Sequence, residues 1–377
     1  MTEELHRGLD GVLVTETELS RVDGEAGQLI YRGYPIELLA QEASFEEVLY
    51  LLWNGDLPNA SALDELDDVL RSHRELDPSI HTLVEDLAHR DEDPMAALRT
   101  TVSALSGMEA NDFDPSNPES AVETGRRIAA KIPTILAAFE HYRNGDDPIA
   151  PRDNLGHAGN FLYMLNGEEP DPVLERTFDA ALVLHADHGI NASTFAAMVT
   201  ASTLSDIYAA VTSAIGTLAG PLHGGANQNV MRMLLEVEES DLGPTEWVSK
   251  ALGDGRRVPG FGHRVYDVKD PRAFILAEMS EDLGEAAEEM KWYEYSVAIE
   301  ETMVDETGIP PNVDFYSATT YYQMGIPIDL YTPIFAMSRV GGWVAHIREQ
   351  YADNRIMRPR ARYVGPEDRE FSPLDQR

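Results

Sequence analysis

Residues 220–227 read Gly-Pro-Leu-His-Gly-Gly-Ala-Asn, and they join two stretches of different pattern. A run rich in small residues, 193–219, precedes them, and residues 229–235 carry an apolar helical pattern. Glycine followed by proline is typical of a helix end, so we expect the next helix to begin near Gly225. His223 then lies beside a helix N-terminus, whose free N–H groups disfavour a positive charge. We expect a neutral imidazole that can donate to a carbonyl oxygen; a histidine that only caps the turn is the alternative.

Helical periodicity dominates the chain, and strand signals are sparse. The 3.6-residue period persists over 60–110, with breaks at Pro78 and Pro94. The stretch 44–53 opens with a serine followed three positions later by a glutamate, which is the capping-box pattern. These signals predict an all-α fold. Because small residues let helices approach closely, we expect the run 193–219 to form a buried helix, in the core or against another subunit.

Other elements are predicted with less regular patterns. The N-terminal part, 5–34, predicts small strands or turns, and 111–118 predicts a loop. Helices are expected over 125–142 with a kink at Pro133, over 154–165 and over 172–188.

Composition narrows the class of protein. The chain of 377 residues is 43% hydrophobic, as expected for a globular protein with a sizeable core, and it has no cysteine, which excludes disulfides and thiolate chemistry. Its net charge is −37, from 66 acidic and 29 basic residues, of which only four are lysines. Acid-rich, lysine-poor surfaces are typical of halophilic proteins, and they repel nucleic acid and anionic membranes.

The sequence carries no pattern for export or membrane insertion. No apolar run approaches the length of a membrane span, and residues 1–4 lack the basic and apolar pattern that begins a signal peptide. We therefore expect a soluble cytoplasmic protein.

Two histidines, His185 and His188, are three residues apart in a helical pattern and could bind a metal ion. A third ligand is missing nearby, since Asp187 would point elsewhere on a helix. We therefore expect no metal site.

Residues 258–266 read Val-Pro-Gly-Phe-Gly-His-Arg-Val-Tyr. The glycine spacing matches neither a P-loop nor a dinucleotide fingerprint, but it lets backbone N–H groups approach a ligand. His263 ends the glycine-rich part, and Arg272 follows in an Asp-Pro-Arg sequence.

Asp314 lies among apolar and aromatic residues in 311–315, Pro-Asn-Val-Asp-Phe. Partial desolvation would raise its proton affinity and suit it to be a general base; a helix N-cap is the alternative. Downstream, Arg339 and Arg358 offer bidentate binding to carboxylates, or are solvated surface residues.

These stretches, in this order, resemble citrate synthase over residues 8–365. The resemblance includes Tyr-Arg-Gly-Tyr-Pro-Ile at 31–36 and Tyr-Thr-Pro-Ile-Phe-Ala-Met-Ser-Arg at 331–339. With the length and acidic composition, it points to the short, dimeric type from a halophilic archaeon. The fold implied is a large helical domain from both chain ends, residues 1–224 and 326–377, and a smaller mobile domain, 225–325, that closes over substrate.

The resemblance also implies roles for three residues. Asp314 corresponds to the base that removes a methyl proton from acetyl-CoA. His223 corresponds to the group that holds the resulting enol or enolate oxygen, and His263 to the group that polarises the ketone of oxaloacetate. The activity implied is condensation of acetyl-CoA with oxaloacetate and water to citrate and CoA, a step of the tricarboxylic acid cycle.

Four further residues match substrate-binding positions: His188, Arg272, Arg339 and Arg358, the last donated across a homodimer interface with Arg360 as an alternative. Residues that would line the CoA site are Val258, Gly260, Phe261, Gly262, Asn312 and Lys269. Acetyl-CoA is then a co-substrate, and no cofactor is tightly bound.

Two positions depart from the family pattern. Asp267 stands where members often carry a basic residue for CoA phosphates, so Lys269, Arg264 or Arg257 would substitute. Gly189 stands where many members have an acid, which bears on the orientation of His188. Two rivals remain: 2-methylcitrate synthase, which uses propionyl-CoA, and a non-catalytic CoA- or carboxylate-binding protein on the same scaffold.

Overall fold

The computed structural model describes residues 5–9, 11–108 and 114–377. Over these residues the chain is mostly helical, which confirms the all-α prediction. Sixteen α-helices occur in the described chain: α1 (Ile36–Glu42), α2 (Phe45–Asn54), α3 (Ala60–Ser72), α4 (Pro78–Ala88), α5 (Pro94–Met108), α6 (Pro118–Asn144), α7 (His157–Asn166), α8 (Pro172–His185), α9 (Ala192–Ala201), α10 (Ile207–Leu218), α11 (Ala226–Glu239), α12 (Pro244–Gly253), α13 (Pro271–Ala286), α14 (Lys291–Thr307), α15 (Val313–Gln323) and α16 (Tyr331–Ala352).

The predicted N-terminal strands form one small antiparallel sheet in the order β1-β2-β3. Its strands are β1 (Ser20–Asp23), β2 (Gln28–Tyr31) and β3 (Tyr34–Pro35). Ser20 pairs with Tyr31 and Asp23 pairs with Gln28, so residues 24–27 form the short turn that joins β1 to β2.

Local capping signals determine where several helices begin. Ser44 and Glu47 form the predicted capping box of α2. Pro78 and Pro94 are the first residues of α4 and α5, a position that proline tolerates because the first helical N–H groups have no intrahelical partner. Helix α6 continues through Pro133.

Two helix predictions were wrong. The run 193–219 is two helices, because Asp206 accepts a hydrogen bond from the N–H of Ala209 (2.9 Å) and caps a new helix, α10. Helix α8 ends at His185, so His188 lies beyond it. Residues 1–4 and 109–113 lie outside the described residues. The prediction for the N-terminal residues 1–4 therefore falls outside the described part, as do the predicted helical end at Ala110 and part of the predicted loop over 111–118.

Helix α16 forms the centre of the body, and it packs against α2, α6, α8, α9 and α10. Its glycines permit close approach: the N–H of Gly342 donates to the carbonyl of Ala186 (3.1 Å), and Trp53 Nε1 donates to the carbonyl of Gly341 (3.0 Å). A Cβ at Gly342 would meet that Ala186 carbonyl and the Asp187 side chain. This close packing brings Arg339 of α16 against the end of α8.

Helices α11 to α15 pack mainly on one another, and α13 and α15 also contact α8. This grouping lies within the predicted mobile domain 225–325; the division into 1–224, 225–325 and 326–377 stays a prediction. In the described part of the chain, no helix is long and apolar enough to cross a membrane.

Candidate active site

His223 lies in the turn between α10 and α11, as predicted, but the helix end that it meets belongs to α9. Its Nε2 accepts a hydrogen bond from the backbone N–H of Ser193 (3.1 Å), in the first turn of α9. A backbone N–H can only donate, so the proton of the neutral ring is on Nδ1. Burial, aided by the charge of Arg339, lowers the pKa of His223 to about 4.

His263 is also held in one tautomer, but its Nδ1 is the acceptor, whereas in His223 the acceptor is Nε2. Its Nδ1 accepts from the backbone N–H groups of Val265 (3.0 Å) and Tyr266 (3.1 Å), so Nε2 carries the proton. Burial, aided by the charge of Arg272, lowers the pKa of His263 to about 4. The Tyr266 ring lies 4.8 Å from the His263 ring, centroid to centroid.

His188 joins the same cluster from the segment after α8. Its ring centroid is 5.3 Å from that of His263, and its Nε2 is 3.2 Å from the hydroxyl of Tyr266. Burial, with the charges of Arg272 and Arg339, lowers the pKa of His188 well below its usual value. His188 therefore presents a neutral ring beside His263 and Tyr266.

His185 and His188 do not lie on one helix, because α8 ends at His185. His185 Nδ1 donates to the carbonyl of Ala181 (2.7 Å), and the ring is fully buried. Asp187 turns away to pair with His346 (3.1 Å) in the core. Within the described ranges, no group of three or more His, Asp or Glu side chains is placed to hold a metal ion.

Asp314 occupies the first turn of α15 without capping it. Asn312 is the cap, since its side-chain oxygen accepts from the N–H of Asp314 (3.0 Å), and this replaces the alternative of an N-cap aspartate. Burial raises the pKa of Asp314 to about 6, while the charges of Arg272 and Arg339 oppose that rise. The carboxyl thus has the proton affinity of a general base near neutral pH.

Arg272 and Arg339 are both buried and both act on the groups above. Arg272 Nε and Nη2 donate to the Asp270 carboxylate at 2.9 and 2.7 Å, and Asp270 also caps α13. Arg339 Nε donates to the carbonyl of His185 (2.6 Å), and burial lowers its pKa to about 10. Because Arg339 influences both His223 and Asp314, these residues share one electrostatic environment.

The glycine-rich loop 258–262 is fastened to the start of α15. The N–H of Asn312 donates to the carbonyl of Gly260 (2.9 Å), and Asn312 Nδ2 donates to that of Gly262 (2.8 Å). Gly260 has φ +85°, and a Cβ there would lie 2.8 Å from the Phe315 ring. The Phe261 ring packs against the same ring in a tilted arrangement, 4.6 Å between centroids, and Val258 is buried.

Lys269 is paired with a carboxylate, and Arg358 is exposed. The ammonium of Lys269 pairs with Glu300 (2.5 Å) and lies over the Phe274 ring (4.5 Å). Arg358 is exposed in the extended segment after α16, as is Arg360. Gly189 donates its N–H to Ser20 Oγ (3.0 Å), which holds the segment beside His188.

Sequence reasoning missed three residues that shape the site: Ser193, Tyr266 and Asp270. Asp270 carried a local signal, because aspartate before proline is a typical helix start. Ser193 and Tyr266 carried none, since their partners are set by the tertiary structure.

Known proteins are similar to this chain over nearly its whole length. The family model described as "Citrate synthase, C-terminal domain" matches residues 8–360. A citrate synthase of Haloferax volcanii is 64% identical, with 100% of both chains covered, and 2-methylcitrate synthase 1 of Corynebacterium glutamicum is 39% identical, with 99% of both covered. The ternary complex of carboxymethyl coenzyme A and oxaloacetate with citrate synthase from Thermoplasma acidophilum has a TM-score of 0.91 at 32% identity, covering 99% of this chain and 100% of that one.

The chain belongs to the citrate synthase family. It is an enzyme of the acyltransferase class that this family represents, and both predictions are confirmed. The Haloferax match also supports the halophilic, archaeal origin inferred from the acid-rich composition.

Proposed function

We propose that the enzyme condenses acetyl-CoA with oxaloacetate and water to give citrate and CoA, in the cytoplasm and as a step of the tricarboxylic acid cycle. The observation that carries this proposal is a pair of histidines held in opposite tautomers by backbone N–H groups, so that His223 presents Nδ1–H and His263 presents Nε2–H. The Asp314 carboxyl supplies the base. Deprotonation beside a thioester needs a base at the methyl group and a donor at the carbonyl oxygen. A second donor is needed at the ketone that is attacked.

In the first step, the Asp314 carboxylate takes a proton from the methyl group of acetyl-CoA. The electron pair moves onto the thioester oxygen, where the Nδ1–H of His223 stabilises the enolate or enol. A neutral imidazole suits this role because it can donate its Nδ1–H as a hydrogen bond to the oxygen and still keep that proton.

In the second step, the methylene carbon of the enol attacks the ketone carbon of oxaloacetate. The Nε2–H of His263 polarises the ketone oxygen and transfers its proton to it, which gives the hydroxyl of the citryl thioester. The proton that Asp314 took from the methyl group balances the one that His263 gives. Water then cleaves the thioester, releasing citrate and CoA. His188, Arg272 and Arg339 would bind the two carboxylates of oxaloacetate, since guanidinium groups match carboxylates in a fixed fork.

We infer that acyl-CoA lies along Val258, Gly260, Phe261 and Gly262, with Asn312 at the end of the loop. Glycines let backbone groups approach a ligand closely. Lys269 would reach a CoA phosphate only by leaving Glu300, so the exposed Arg257 and Arg264 are the better-placed cations.

The activity is tested by following thiol release in molar KCl with oxaloacetate and either acetyl-CoA or propionyl-CoA. We expect higher kcat/KM with acetyl-CoA. A preference for propionyl-CoA would indicate 2-methylcitrate synthase, in line with the 39% identical relative. Binding of oxaloacetate or CoA in a calorimeter without turnover would indicate the non-catalytic alternative.

We also propose a homodimer in which Arg358 completes the partner's site. Arg358 is exposed, and large apolar side chains of the same segment, Ile356, Val364 and Phe371, are 59%, 89% and 84% exposed. A second copy would cover these apolar surfaces.

Mixed dimers test this arrangement. Arg358→Ala and Asp314→Asn subunits, each inactive alone, would form one site with both changes and one intact site. We expect about half of the parent activity per mixed dimer. A mixture no more active than the two variant homodimers, with subunit exchange demonstrated by mass spectrometry, would show that Arg358 acts within its own subunit. The same experiment with Arg360→Ala in place of Arg358→Ala tests the alternative arginine.

A further inference from the structure

The turn between β1 and β2 touches the loop that carries His263. The N–H of Asp267 donates to the carbonyl of Gly24 (3.1 Å). A Cβ added at Gly24 would overlap the carbonyl oxygen of Val265 and lie 2.9 Å from its carbonyl carbon. At Gly27, an added Cβ would lie 2.7 Å from a methyl group of Val268. The two backbones approach this closely because neither glycine has a side chain.

The loop on the other side of this contact supplies the hydrogen bonds that set the His263 tautomer. Val265 presents its carbonyl to Gly24 and its N–H to His263 Nδ1 (3.0 Å). The next N–H, of Tyr266, is the second donor (3.1 Å), and that of Asp267 bonds to the turn. A shift of Val265 therefore displaces the donors of His263 as well.

The turn is held by its own hydrogen bonds, whereas two side chains of the loop that it meets are nearly half exposed. Asp23 accepts from the N–H of Ala26 (3.0 Å), and the strand pairing from Asp23 to Gln28 holds the two ends of the turn together. By contrast, the side chain of Val265 is 46% exposed and that of Val268 is 42% exposed. The turn is thus a fixed surface against which the loop rests.

We propose that Gly24 is a positioning residue, through which the β1–β2 turn holds the loop 265–267 and so keeps Nε2–H of His263 directed at the ketone. This inference rests on the proposed role of His263. Gly24 touches neither substrate nor reacting atoms; it acts through Val265. The site would therefore depend on a turn more than two hundred residues away in the sequence.

Gly24→Ala tests the contact. The φ of Gly24 lies outside the left-handed region, so alanine fits the turn itself and acts through Val265. We expect turnover to fall by about 10- to 100-fold, as small misplacements of catalytic groups do. The carbonyl frequency shift of bound oxaloacetate should shrink in parallel. Nitrogen-15 solid-state NMR of histidine-labelled protein should show a changed tautomer signal at His263, assigned with His263→Gln.

Two controls separate this effect from a loss of stability. Glu25→Ala alters the exposed tip of the same turn without touching the loop, and Gly253→Ala adds a methyl where no atom lies within 4 Å. Both should keep turnover, the frequency shift and the NMR signal. If Gly24→Ala does not fold, Asp23→Ala removes the acceptor of Ala26 without adding a clash and should give a smaller change in the same direction.

An unchanged frequency shift and tautomer signal in the folded variant would overturn the inference, even if the protein were less stable. If the parent enzyme itself did not turn over, the proposed function would fail instead. The NMR comparison of parent and variant would still show whether the turn sets the tautomer.

Discussion

Asp314 is subject to opposing influences on its pKa. Burial raises it to about 6, and Arg272 and Arg339 limit the rise. Since only the ionised carboxylate accepts a proton, kcat/KM for acetyl-CoA should rise with pH through about 6 and level off above it. His223 and His263, with pKa values lowered to about 4, stay neutral over this range.

Asp314→Asn should lower turnover by about 100-fold or more while leaving oxaloacetate binding largely intact. Steady-state kinetics and calorimetry measure the two quantities. Asp305→Asn, an exposed carboxylate on α14, is the matched control and should have no effect. Turnover of Asp314→Asn within a few-fold of the parent would eliminate Asp314 as the base.

Substitution of His223 and substitution of His263 should impair different steps, because His223 donates to the thioester oxygen and His263 donates to the ketone oxygen. His223→Gln should slow exchange of the methyl protons of acetyl-CoA, followed by proton NMR in heavy water. His263→Gln should abolish the carbonyl frequency shift of bound oxaloacetate, followed by infrared spectroscopy. His89→Gln, on the surface, should show neither defect. If each variant showed the defect expected of the other, the two roles would be reversed.

At the scale of elements, α15 and the glycine-rich loop act as one unit through a single side chain. Asn312 caps α15 and also donates to the carbonyl of Gly262 (2.8 Å). Asn312→Ala should lower the free energy of unfolding by about 1–2 kcal/mol, as lost N-caps do, and should also raise KM for acetyl-CoA. Denaturant unfolding and steady-state kinetics measure the two effects.

Asn59→Ala provides the comparison, because Asn59 caps α3 by accepting from the N–H of Ala62 (3.0 Å) and has no part in the proposed site. It should lose similar stability with unchanged kinetics. Equal KM values for the two variants would mean that Asn312 serves the helix alone.

At the scale of the whole molecule, charge dominates. A net charge of −37 on one chain repels itself over a screening length of roughly 30 Å at 0.01 M salt, and only about 3 Å at 1 M. Stabilities of about 5–15 kcal/mol leave little margin against that repulsion. The melting temperature should therefore rise steeply from dilute buffer to molar KCl.

Sucrose is the control for this measurement, because it strengthens apolar burial through exclusion without screening charge. It should stabilise the protein less than KCl does. A melting temperature that stays flat or falls between dilute buffer and molar KCl would contradict the halophilic interpretation and leave the enzymatic one unchanged.

The sequence by itself determined the features that depend on neighbouring residues. The helical period established the fold class, and the capping pattern at Ser44 located the start of α2. Motifs around His223, His263 and Asp314 indicated the family and the residues of its chemistry. Each of these signals is written within a few positions of the residue concerned, because helix hydrogen bonds and caps span only three or four residues.

Only the tertiary structure decided how those residues are held. Ser193, thirty positions before His223, fixes its tautomer, and Gly24 meets Val265 from the other end of the chain. Such contacts depend on which elements pack together, and packing depends on the whole set of apolar faces rather than on any local pattern.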